Sequence, residues 1–167
     1  TSSSKMMEYR IELKDIEIGI PVVMFFTGKG KKVNYAIIDT GAEQTIFDEQ
    51  FIRKNRKDII LVDTCEQLSI VGAVMEHQIA SVVHATATVS FVHTSDDAGG
   101  TGIIKLPIDG IVMPLSHLSQ YSMNGLKISA IIGTDVLDKL NSKIDFSSKT
   151  WSFNYDLPSK RQNHIAL

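Results

Sequence analysis

Apolar residues in this chain fall in short runs rather than in long helical stripes. From Glu8 to Lys14 the apolar Tyr9, Ile11 and Leu13 alternate with polar residues, the period of a half-exposed strand. Ile16 to Phe26 is a second strand region, and Pro21 within it marks an edge position or a break. Gly28-Lys29-Gly30-Lys31 reads as a hairpin turn before the strand Val33 to Ile38. Asp48 is placed to cap a short helix over Glu49 to Lys54. Ile59 to Val62 is a further strand. Gln67 to Val71, Gly72-Ala73 and Val74 to Val83 make a hairpin with its tip at Gly72. Ala80 to Val92, dense in Val, Ala and Thr, reads as a long strand, and Thr94 to Gly102 as a polar loop. Ile103 to Met113 reads as two short strands, broken by Pro107 and Asp109-Gly110. Pro114 to Tyr121 holds one or two helical turns, and Leu126 to Ile132 another strand. Thr134 is a candidate N-cap for a helix from Asp135 to Leu140. Lys143 to Phe146 and Thr150 to Tyr155 form a closing hairpin, and the residues from Pro158 onward are a polar tail. Many short strands and few helices predict an all-β, barrel-like domain.

Composition narrows this picture only a little. A chain of 167 residues fits one domain and buries a sizeable core. The formal charge of -2 gives no general attraction to nucleic acid or to an anionic membrane. The basic groups Lys29, Lys31, Lys32 and Arg53, Lys54, Arg56, Lys57 are small enough to be solvated surface. Cys65 is the single cysteine, so no internal disulfide can form. That favours a reducing, cytoplasmic setting, with a secreted or periplasmic one left open because the start at Thr1 can be a trimmed end. No run of eighteen or more apolar residues is present to span a membrane. There is no Gly-x-Ser-x-Gly, and Gly99-Gly100-Thr101-Gly102 lacks the spacing and Lys of a phosphate loop. His77, His84, His93, His117 and His164 are scattered without ligand spacing, so neither metal nor cofactor is expected.

One stretch breaks the rule that a buried strand ends in neutral residues. Ala36-Ile37-Ile38 runs straight into Asp39-Thr40-Gly41-Ala42-Glu43. A carboxylate there is costly unless it is hydrogen-bonded or shares its charge with a partner. Thr40 offers a hydroxyl and Gly41 a bare backbone for a tight turn beside the acid. By itself, Asp-Thr-Gly is also what a plain β-turn looks like, with Asp bonding the turn amides. A second stretch, Ala130-Ile131-Ile132-Gly133-Thr134-Asp135-Val136-Leu137, repeats the form of an apolar strand entering Gly and a helix start.

The pairing of Ile37-Ile38-Asp39-Thr40-Gly41-Ala42 with Ile131-Ile132-Gly133 resembles the retropepsin-like aspartic proteases, with a continuation more like bacterial and cellular members. The resemblance covers residues 8–156, leaving 1–7 and 157–167 as flexible ends. It implies a closed β-barrel of the acid protease fold, one lobe per chain, with a flap hairpin and a short C-terminal helix. It also implies an aspartic endopeptidase with Asp39 as the catalytic acid and Thr40 and Gly41 supporting its loop. Ala42, Glu43 and the flap residues Ile70, Val71, Gly72 and Ala73 would meet the substrate, while Ile132 and Gly133 support the loop from behind. The family often has Asp where this chain has Glu43.

Peptide hydrolysis needs one ionised carboxyl to activate water and one protonated carboxyl to polarise the carbonyl. Only one Asp-Thr-Gly occurs in the chain, since Asp109-Gly110 lacks the middle residue and Asp135 and Asp145 lack the Gly. The expected active species is therefore a symmetric homodimer, with its site on the two-fold axis and a peptide or protein as substrate. Ile70, Val71, Val74 and Met75 favour apolar side chains at the cut. The alternative is a non-catalytic peptide-binding or dimerisation module on the same fold. A phosphotransferase with Asp39 as acceptor fits less well, because the chain lacks the Asp-Lys-Thr-Gly pattern.

Overall fold

In this computed structural model, the structure describes residues 4–15, 19–28, 32–72, 75–95, 100–121 and 127–158. The strands are β1 (Ser4–Glu12), β2 (Lys14–Asp15), β3 (Pro21–Thr27), β4 (Asn34–Ile38), β5 (Ile46–Asp48), β6 (Ile59–Gly72), β7 (Met75–Ser95), β8 (Gly100–Met113), β9 (Ile128–Ile132), β10 (Lys143–Asp145) and β11 (Thr150–Pro158). Two six-residue helices accompany them, α1 (Glu49–Lys54) and α2 (Thr134–Lys139). Short 3-10 segments lie at Arg56–Asp58 and Ser116–Tyr121. The all-β expectation is met.

Strand pairing closes a ring in the order β3-β7-β8-β5-β9-β4 and back to β3, a six-stranded barrel. β1 and β11 pair antiparallel along their whole length and join the ring through β7 at Arg10↔Thr94. The first strand thus begins at Ser4, within the expected flexible lead, because Ser4 to Met7 pair with Pro158 to Tyr155.

The core divides in two. The larger part fills the barrel and the space under β1 and β11, with Phe25, Phe47, Phe91, Trp151 and Phe153 as its bulk. Phe91 and Trp151 meet edge-on at 5.4 Å. The smaller part lies outside the ring, around Val22, Ile37, Ile46, Ile111, Leu118 and Ile131. β4 and β9 are the parallel pair between the two parts. Ala36 and Ile38 face one core and Ile37 the other, and β9 divides in the same way. Burial on both faces explains why Ala36 to Ile38 and Ala130 to Ile132 read as apolar runs rather than as alternation.

Pro107 does not break its strand. β8 is continuous from Gly100 to Met113, and Thr88 pairs with Pro107. β5 reaches β8 only at Ile111–Met113, so at Pro107 β8 has β7 on one side alone. The missing N–H is harmless at that local edge. Asp109-Gly110 is not a turn either. Asp109 accepts a hydrogen bond from Thr86 Oγ1 across the strands. A Cβ on Gly110 would lie 2.9 Å from Phe47 Cε2 and from the Thr45 carbonyl, so the glycine lets β8 close onto β5. The expected loop from Thr94 to Gly102 is shorter than its composition implied, since pairing continues to Ser95↔Gly100. Asp48 sits at the N-cap position of α1 without making a side-chain cap bond.

The turn between β10 and β11 is held by Asp145, whose Oδ1 accepts from Ser147 N at 2.9 Å, Ser147 Oγ and Ser148 N. The Ser147 hydroxyl, followed by the other Ser147 and Ser148 bonds, lowers the carboxyl below its ordinary range. A depressed carboxyl contributes stability above its unfolded pKa and loses it as pH falls through the folded one. Unfolding titrations of wild type and Asp145→Asn should therefore differ at neutral pH and converge in acid, below about pH 4.

Candidate active site

The chain leaves β4 at Ile38, loops through 39–45, passes the end of β9 and enters the sheet again as β5 between β9 and β8. The loop therefore lies across the exit of its own parallel partner strand, and its close contacts with 132–135 follow from that crossing.

Asp39 starts the loop. Its N–H donates to the Ile132 carbonyl at 2.9 Å, extending the β4–β9 ladder by one residue. Its Oδ1 accepts from the Gly41 N–H at 2.9 Å, and its carbonyl accepts from the Ala42 N–H at 3.2 Å. The acid is half-buried, while Thr40 and Gly41 at the turn tip are exposed. A Cβ on Gly41 would sit 3.3 Å from Asp39 Oδ1, tight against the carboxylate it serves. Ala42 is half-buried against the smaller core and Glu43 is exposed.

Behind the loop, Ile132 is buried in the larger core and Gly133 is buried at the start of α2. A Cβ on Gly133 would stand 2.7 Å from the Ala42 carbonyl and 2.8 Å from the Gln44 carbonyl. No side chain fits there, because both neighbours are backbone. Thr134, expected to be the N-cap, is instead the first residue of α2, and Gly133 takes the cap position. Thr134 N and Oγ1 donate to the Ala42 carbonyl at 2.8 and 3.2 Å.

Two residues without an assigned role in the sequence reading hold the far end of the loop. Thr45 is fully buried. Its N–H and hydroxyl donate to the two oxygens of Asp135 at 3.0 and 2.7 Å, and its Oγ1 accepts from the Gly133 N–H at 3.0 Å. Asp135 Oδ1 also accepts from the Val136 N–H at 2.8 Å. The carboxylate at the first turn of α2 thus gathers donors from both stretches that the sequence pattern picked out. Thr45→Val keeps the shape but strands the Gly133 N–H and removes the hydroxyl bond to Asp135. It should cost about 2 kcal/mol in urea unfolding, and an unchanged midpoint would show that the hydroxyl is not what pins the loop.

The remaining assigned residues lie in the hairpin. Ile70 and Gly72 are in β6, where they pair with Gln78 and Met75 of β7, and Val71 lies between them. Gly72, the expected tip of the flap, still pairs with Met75, and Ala73 lies outside the described residues. Among the described residues no group of three or more His, Cys, Asp or Glu side chains is placed to hold a metal ion. No helix among them is long and apolar enough to cross a membrane.

No protein-family model matches the chain, and no curated protein does. Among solved structures it is similar to a retropepsin-like aspartic protease from Rickettsia conorii, with 16% identity, a TM-score of 0.46, and coverage of 92% of this chain and 95% of that one. It is likewise similar to the retroviral protease-like domain of Ddi1 from Leishmania major, with 16% identity, a TM-score of 0.46, and coverage of 78% and 81%.

Proposed function

We propose that this chain is an aspartic endopeptidase of retropepsin type that works as a homodimer. The observation that carries the reading is the state of the Asp39 loop. A carboxylate is fixed at the end of a doubly buried strand, its turn tip is exposed, and the bonds behind it allow it little movement. Such an arrangement presents one carboxylate outward, and the chemistry requires two.

Two copies meeting at Thr40 and Gly41 would bring both Asp39 side chains to one axis. At that range the pair holds a single proton. The ionised acid takes a proton from water, and the water oxygen attacks the peptide carbon. The protonated acid donates to the carbonyl oxygen, giving a tetrahedral diol. Collapse returns a proton to the leaving nitrogen and breaks the C–N bond. Thr40 would hold the loops together across the axis. Ala42 and Glu43 would line the cleft, and the 70–73 hairpin would hold an extended peptide by strand-like backbone bonds.

The test is cleavage of a diverse peptide mixture by wild type and by Asp39→Asn, read by mass spectrometry from acid to neutral pH, with sedimentation run alongside. Cuts that vanish in the variant while the dimer persists support the reading. Cuts that persist in the variant remove Asp39 from the chemistry. A folded dimer that binds peptides and cuts none leaves a binding module in place of the protease.

A further inference from the structure

Asp48 is a second acid that its surroundings do not account for. It is only 6% exposed, at the last position of β5. Its Oδ1 accepts from the Leu115 N–H at 2.9 Å. It makes no cap bond to α1, and among the described residues no Lys or Arg pairs with it. Its Oδ2 accepts no bond among the described residues and is not sealed from solvent, so one acceptor of the carboxylate stays open.

The acid lines a cleft of about 430 Å³ between α1 and the segment that follows β8. Leu115, Leu118 and Ile128 supply apolar wall. Two cations stand around the same cleft, and each is engaged elsewhere. Arg53 is paired with Glu49, and Lys127 Nζ lies 3.4 Å from Gln50 Oε1. The cleft thus joins a carboxylate that, among the described residues, has one oxygen without a partner to apolar wall suited to a hydrocarbon chain.

We propose that this cleft binds a primary ammonium on a short aliphatic stem, with Asp48 as its anchor. The ammonium would sit on Asp48 Oδ2 and the stem along Leu115, Leu118 and Ile128. Because Oδ1 is held by Leu115, a single oxygen is left. That suits the point charge of an ammonium better than a guanidinium, which needs two acceptors for its fork. A free alkylamine and a lysine side chain share this chemistry. The proposal is independent of Asp39 and of peptide cleavage.

The test is titration of the intact protein with n-pentylamine, 1-pentanol, agmatine and N-acetyl-lysine methylamide at constant ionic strength, following backbone amides by NMR. Pentylamine should move the Leu115 amide saturably, binding about tenfold tighter than pentanol and several-fold tighter than agmatine. Asp48→Asn, whose carbonyl can still accept from Leu115, should weaken pentylamine at least about tenfold while the melting curve stays cooperative. Lys127→Gln should tighten it a few-fold by removing a like charge. Binding of the capped lysine as well would identify a protein side chain as a source, and binding of pentylamine alone a free amine. No saturable shift, or equal binding by Asp48→Asn, overturns the proposal.

Discussion

Asp39→Asn should lower peptide cleavage by at least about 10³-fold while leaving the fold intact. The asparagine carbonyl can take the place of Oδ1 and accept the Gly41 N–H bond that holds the turn at 2.9 Å. The backbone bond from residue 39 to the Ile132 carbonyl does not involve the side chain at all. Stability and strand pairing should therefore be nearly those of the wild type, which separates this variant from one that merely unfolds. In the proposed dimer the lost quantity is the ionisable pair. An amide neither takes a proton from water nor passes one to the leaving nitrogen, and in a homodimer the substitution removes both acids together. A mixed dimer of one wild-type chain and one Asp39→Asn chain should be as inactive as the dimer substituted in both, because one carboxyl cannot be base and acid in the same step. The wild-type rate should fall at both ends of the pH range, as catalysis by a paired acid and base requires. A flat profile with full activity in the mixed dimer would point to chemistry that needs no dyad.

The parts of this molecule that could be read from sequence are those in which burial leaves an unbroken signature. Ala36 to Ile38 and Ala130 to Ile132 are covered on both faces, so they stand out as apolar runs, and Asp39 stands out against its lead-in. The Thr45–Asp135 pair has no such signature. Its partners are 90 residues apart, and each looks locally ordinary, a threonine entering a strand and an acid in the first turn of a helix. The nearest available signal was that Asp135 follows Gly133-Thr134 directly in a stretch already matched to Asp39. Pro107 was misleading for a related reason. Whether proline breaks a strand depends on whether a neighbour lies on its N–H side, and that is a fact of topology. Asp48 was legible by position and not by role, since the helix it precedes forms while its carboxylate turns to Leu115.

Glycine at 133 should prove the most demanding backbone position of the site. Gly133→Ala is expected to destabilise the protein by about 3 kcal/mol, a Tm lower by roughly 10 °C for a chain of this size. The added carbon would meet the Ala42 carbonyl at 2.7 Å and the Gln44 carbonyl at 2.8 Å. Neither obstacle can rotate away. Ala42 O is held by two donors from Thr134, and the residue after Gln44 is tied to Asp135. Relief would require lifting the whole 42–45 segment off β9. Gly110 closes the same segment from the β8 side, where a Cβ would lie 2.9 Å from the Thr45 carbonyl, so the loop has no slack in that direction. Gly41→Ala is the informative contrast. Its Cβ would meet only Asp39 Oδ1, at 3.3 Å, and the residue is exposed. That variant should unfold within about 1 kcal/mol of wild type, yet lose much of any Asp39-dependent cleavage through displacement of the carboxylate. The two glycines thus separate holding the loop from aiming the acid. Thermal melts and cleavage rates measured on both variants would show whether those roles divide as the contacts require.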